Sequence, residues 1–110
     1  MPDQRPTQPL QAINPPGLYD PTPNGYSHLM LTPTNVRWLF VAGQGAEDVS
    51  GRLPDDFADQ LTHCLSNLQY ALAAGGAHFS QVAKLTVLVV DHSEARLALI
   101  SAALAKAAGD

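Results

Sequence analysis

The chain has 110 residues, is 45% hydrophobic and carries a formal charge of −4. That length bounds it to one domain, and the hydrophobic content excludes disorder over most of it. Its six Lys and Arg residues are scattered, which excludes a basic stripe for nucleic acid, and its one cysteine excludes a disulfide framework or a multi-cysteine metal site.

Residues 1–25 hold prolines at 2, 6, 9, 15, 16, 21 and 23. Proline fixes φ and removes a donor, so a coiled N-terminal extension is expected, in which Pro9–Ile13 can add a short edge strand. Gly25–Thr32 reads as a strand. Pro33-Thr34-Asn35 supplies turn chemistry, and the strand Val36–Ala42 follows at hairpin spacing, so the two are expected to be antiparallel neighbours. This second strand runs into Gly43-Gln44, and a tight turn follows at Ser50-Gly51.

Asp55–Ala74 is the clearest helix. Phe57, Leu61, Cys64, Leu65, Leu68 and Leu72 recur at spacings of three and four and form one apolar stripe. Asp55 and Asp56 favour its N-terminus, and Gly75-Gly76 stops it. Val82–Val90 is almost continuously apolar and β-branched, the pattern of a central strand with little exposure. Asp91-His92-Ser93 gives a turn and an N-cap for a second helix, Glu94–Ala108, with a stripe at Leu97, Ile100, Leu104 and Ala108. Strand, strand, helix, strand, helix predicts an α+β architecture with both helices on one face of a mixed sheet.

Several residue types invite a chemical role and have simpler readings. His28, His63, His78 and His92 fit no metal-ligand spacing, so no metal site is expected. His63 and Cys64 are adjacent on a helix and do not face each other, which argues against a Cys–His dyad. Cys64 lies on the apolar stripe and reads as a small hydrophobe. Asn67, one position off the stripe, reads as a loop-binding amide. Asp55, Asp56 and Asp59 suit the helix dipole without any acidic site.

The order of strand, Gly-Gln, turn, Asp-capped helix, Gly-rich stop and second strand, from about Tyr26 to Ala108, resembles the RidA (YjgF, reactive intermediate deaminase) family. The resemblance implies a chorismate-mutase-like fold and a RidA-like domain over 26–110. It also implies a homotrimer with ligand clefts at the subunit interfaces. The implied chemistry is hydrolysis of reactive enamine or imine intermediates, of the 2-aminoacrylate type, to the 2-keto acid and ammonia. An arginine would pair with the substrate carboxylate and a positioned water would attack the imine carbon. No metal or organic cofactor is implied. The alternative is a non-catalytic trimer of the same family that binds small molecules or regulates.

The resemblance also names a candidate site. Tyr26 stands where the family has the tyrosine of a Gly-Pro-Tyr motif, here Asn24-Gly25-Tyr26. Ala42-Gly43-Gln44 matches the family's Ser-Gly-Gln, with Ala42 in place of a serine that helps orient substrate or water. Leu99 falls near an asparagine of catalytically competent members. Tyr26, Ala42, Gly43, Gln44 and Leu99 are therefore the candidate substrate-binding residues, for a small carboxylate or imine ligand. No catalytic residue is assigned, because the family's arginine segment and two last strands would follow Asp110. A chain ending there leaves a sheet edge unpaired, so about twenty further residues are expected. No apolar run reaches membrane-spanning length, and Met1–Pro6 lacks the core of a signal peptide. A cytoplasmic protein, with neither membrane nor nucleic acid as partner, is the expectation.

Overall fold

A computed structural model describes residues 10–109. Two short strands and two helices form its frame: β1 (Gln11–Ile13), β2 (Leu29–Leu31), α1 (Phe57–Ala74) and α2 (Glu94–Gly109). This is an α+β fold. α1 packs on α2, and α2 also meets a single 3-10 turn at Phe79–Gln81.

The helices form where local chemistry dictates. Asp56 takes extended φ/ψ and its carboxylate accepts from the Asp59 N–H at 3.3 Å, capping α1. Gly75 and Gly76 close it, and Gly76 adopts φ +78, a left-handed value that suits glycine. The Ser93 hydroxyl accepts from the Arg96 N–H at 3.2 Å and starts α2. Leu72 of α1 and Ile100 and Ala107 of α2 are buried, whereas Leu61, Leu65, Leu68 and Leu104 are only half-buried. Ala107, not Ala108, completes the inward stripe of α2, and Leu97 stays exposed at 50%. Arg96 ties the two helix starts together. Its guanidinium lies 4.5 Å from the Phe57 ring centre and donates to the Val90 carbonyl at 2.6 Å.

The strands depart from the sequence expectation. β2 is only Leu29–Leu31, because Gly25 (φ +79) ends a 3-10 turn at Thr22–Asn24 and the His28 N–H goes to Asn14 Oδ1 at 2.8 Å. The partner of β2 is β1, antiparallel, with Gln11 opposite Leu31 and Ile13 opposite Leu29. The hairpin expected between Gly25–Thr32 and Val36–Ala42 is therefore not formed. Neither Val36–Ala42 nor Val82–Val90 is a hydrogen-bonded strand among the described residues. A ladder needs main-chain bonds to a second backbone at matched register, and none is made by these segments among the described residues.

Both segments still keep the alternation of extended chain. Trp38 and Phe40, two residues apart, stack with ring centres 6.5 Å apart on the same side. The expected burial of Val82–Val90 is not met in the single chain, where Leu88 is 91% and Val90 80% exposed. The chain is a slab of 43 × 43 × 21 Å, and no helix among the described residues is long and apolar enough to cross a membrane.

Candidate functional site

The strand end Ala42-Gly43-Gln44 lies in an exposed stretch that turns over the flank of α1. Gln44 folds back, its Nε2–H donating to the Ala42 carbonyl at 3.1 Å. Gly43 has open space where a Cβ would sit, and its φ is not left-handed. Nothing among the described residues therefore demands glycine there. Gly45 differs, since a Cβ on it would run into the Glu47 carboxylate.

The flank of α1 supplies donors to this stretch. The Cys64 thiol donates to the Gln44 carbonyl at 3.0 Å. The Asn67 Nδ2 group donates to the Gly45 and Glu47 carbonyls at 3.0 and 2.9 Å, so both amide protons are used. Gln60 Nε2–H donates to the Pro54 carbonyl at 2.7 Å. Between these points Asp48 shapes the turn, its Oδ1 accepting from the Ser50 and Arg52 N–H groups at 2.8 and 3.0 Å. Gly51 takes φ +81 in the tight turn expected from the sequence. Burial and the nearby Glu47 carboxylate push the Cys64 thiol up. Cys64 is thus held protonated as a donor, the opposite of an activated nucleophile.

Tyr26 belongs to a separate cluster of rings. Its centre is 6.4 Å from that of Tyr19 and 5.9 Å from that of His28, both edge to face, and Tyr19 and His28 are 4.9 Å apart. The His28 Nε2 contacts the Tyr19 carbonyl at 2.8 Å, and a carbonyl only accepts, so Nε2 carries a proton. The Tyr26 ring remains 44% exposed. Beside the cluster, the Thr22 hydroxyl and amide hold the Asp20 carboxylate below the usual range. Leu99 is 44% exposed on α2.

No hydrogen bond or ring contact among the described residues joins Tyr26, the Gly43–Gln44 stretch and Leu99. A groove of about 390 Å³ lies elsewhere, between the 87–89 stretch and α2. Val87, Val89, His92, Leu97 and Ile100 line it, and none of them is a residue singled out for the site. His78 is structural, its Nδ1 accepting from the Ser80 N–H at 3.2 Å. No group of three or more His, Cys, Asp or Glu residues among those described is placed to hold a metal ion.

Two features escaped the sequence reading. The thiol bond of Cys64 was hidden because cysteine also suits an apolar stripe. The spacing of Gln60, Cys64 and Asn67 was the available signal, since four and three residues place them on one helix face. The ring cluster joins residues seven and nine positions from Tyr19 through turns, and no periodicity reports such a contact.

The sequence profile of the endoribonuclease L-PSP family matches residues 20–109. Among solved structures, the chain is similar to YyfB from Yersinia pestis, described as a protein of unknown function of the conserved Rid protein family. The two are 34% identical with a TM-score of 0.85, over 93% of this chain and 77% of that one. Among curated proteins none matches.

Proposed function

We propose a function on one premise: the chain belongs to the endoribonuclease L-PSP family, the family also called RidA or YjgF. On that premise the chain hydrolyses reactive imines of small amino-acid-derived carboxylates. Water adds to the C=N carbon, the C–N bond breaks, and a 2-keto acid and ammonia leave. Tyr26 and the Ala42-Gly43-Gln44 strand end form the walls of a cleft at a subunit interface, with Leu99 nearby.

The observation that carries this reading is the strand end itself. Gly43 is exposed, unstrained and faces open space, so the reason for a residue without a side chain lies outside the described residues, and we assign it to a ligand or a second subunit. The exposed apolar side chains of Trp38, Phe40, Leu88 and Val90 support assembly into the homotrimer that would form such clefts. The substrate carboxylate needs a cation, and Arg96 is already engaged by Val90 and Phe57. Arg37, Arg52, Lys84 and Lys106 are exposed and are the remaining described cations. An acidic chain with scattered cations gives no support to RNA as substrate.

A second reading, a ligand-binding trimer without catalysis, is favoured by Ala42 and Leu99, which put apolar groups at two positions polar in competent members. One assay separates them. An amino acid oxidase generates 2-iminopropionate, and semicarbazide traps it. Slower accumulation of trapped product with the protein present supports the deaminase. Pyruvate binding without slower accumulation supports the binding module. Neither effect would sink both readings.

A further inference from the structure

Residues 44–47 turn away from the backbone partners that a sheet would offer them. Gln44, Gly45 and Glu47 have carbonyl groups that no main-chain N–H reaches among the described residues. Each is instead met by a side chain of α1: Cys64 at 3.0 Å, and Asn67 at 3.0 and 2.9 Å. Gln60, on the same helix face, reaches Pro54 at the far end of the loop at 2.7 Å. The three donors stand four and three residues apart, so one helix face clamps both ends of the 44–54 segment.

We propose that Asn67 and Cys64 are positioning residues that hold the Gly43–Gln44 strand end in its ligand-binding shape. The proposal rests on the reading of that strand end as a cleft wall. The Asn67 amide fixes two peptide planes at once, and the close fold of Glu47 over Gly45 leaves little slack between them. Cys64 fixes the Gln44 carbonyl, whose side-chain amide is bonded back to Ala42. The direction of that amide, and of the bare backbone at Gly43, is thereby set from the helix. None of these donors needs to touch the ligand, so their loss weakens binding more than turnover.

The test uses the full chain with three substitutions. Asn67→Asp is isosteric and turns the two donors into acceptors facing two carbonyls. Cys64→Ala removes the thiol donor, and Cys64→Ser restores a hydroxyl donor. With 2-iminopropionate as probe, Asn67→Asp is expected to raise KM about tenfold with kcat changed less than about twofold. Cys64→Ala gives a smaller rise that Cys64→Ser reverses. Amide hydrogen exchange at Asp48 and Arg52, whose N–H groups are bonded across the adjoining turn, quickens in Asn67→Asp while protection at Leu68 and Leu72 holds. An unchanged KM in both impaired variants of an active protein overturns the proposal, as does a Cys64→Ser variant no better than Cys64→Ala. A wild-type chain that neither hydrolyses the imine nor binds pyruvate overturns the cleft reading instead. The clamp is then judged by exchange alone, and unchanged exchange at Asp48 and Arg52 in Asn67→Asp overturns it.

Discussion

Cys64 shows how one atom can change a residue's reading. A half-buried thiol beside Glu47 that donates to a carbonyl holds its proton longer than a free thiol does. Maleimide labelling of the native chain should therefore have its midpoint above the ordinary thiol value of about 8.5. A midpoint below that value would contradict the burial of the thiol beside Glu47. Because the folded value is the higher one, this group's stabilising effect is complete below about pH 8.5. It is lost as pH rises through the folded value. At Ala42 the expectation runs the other way. If the cleft reading holds, Ala42→Ser supplies a hydroxyl beside Gly43 and raises imine hydrolysis by at most about tenfold, the worth of one well-placed hydrogen bond. The candidate site was legible only as residue types. Ala42-Gly43-Gln44 could be read from its neighbours in sequence, but the ring cluster of Tyr19, Tyr26 and His28 depends on turns whose geometry no local pattern encodes.

The helices are the elements that depend least on the rest of the chain. Asp56 and Ser93 each cap a helix with a side chain, so the starts of α1 and α2 are written in a few adjacent residues. Asp56→Ala should cost about 1 kcal/mol in urea unfolding, with the helix content of the native baseline unchanged. Ile100, one of the few buried side chains, links α2 to the rest, and Ile100→Ala should cost about 3 kcal/mol. A loss under about 1 kcal/mol would mean that α2 does not depend on that contact. Both helices were legible to within two residues at their ends, because caps and stripes are local. The extended segments were not. Val36–Ala42 and Val82–Val90 have β-forming composition, yet whether they pair depends on backbone far away in sequence. Even β2 found its partner in Gln11–Ile13 and not in the segment that follows it.

As a whole molecule the chain is too open for its size. Its radius of gyration is 15.7 Å, against about 13 Å for a compact domain of this length. Its accessible surface is 8600 Å², against roughly 5,900 Å² for a monomer of 11.7 kDa. The excess agrees with the exposed Trp38, Phe40, Leu88 and Val90. Light scattering should accordingly give about three times 11.7 kDa. Phe40→Glu, which places a charge on that exposed apolar surface, should give the single-chain mass with the helix content retained. The lone tryptophan reports the same event, since its emission should shift to the blue only in the assembled form. An unaltered mass for Phe40→Glu would remove this face from the interface.

The bare slab has a kinetic consequence as well. Segments that find no partner among the described residues leave hydrogen bonds for a second subunit to complete. Renaturation should then proceed in two stages: a fast, dilution-independent recovery of helix, and a slower phase whose rate climbs with protein concentration. For the same reason the denaturation midpoint is not a property of one molecule. It should rise as the solution becomes more concentrated, and a Phe40→Glu chain should lose that dependence.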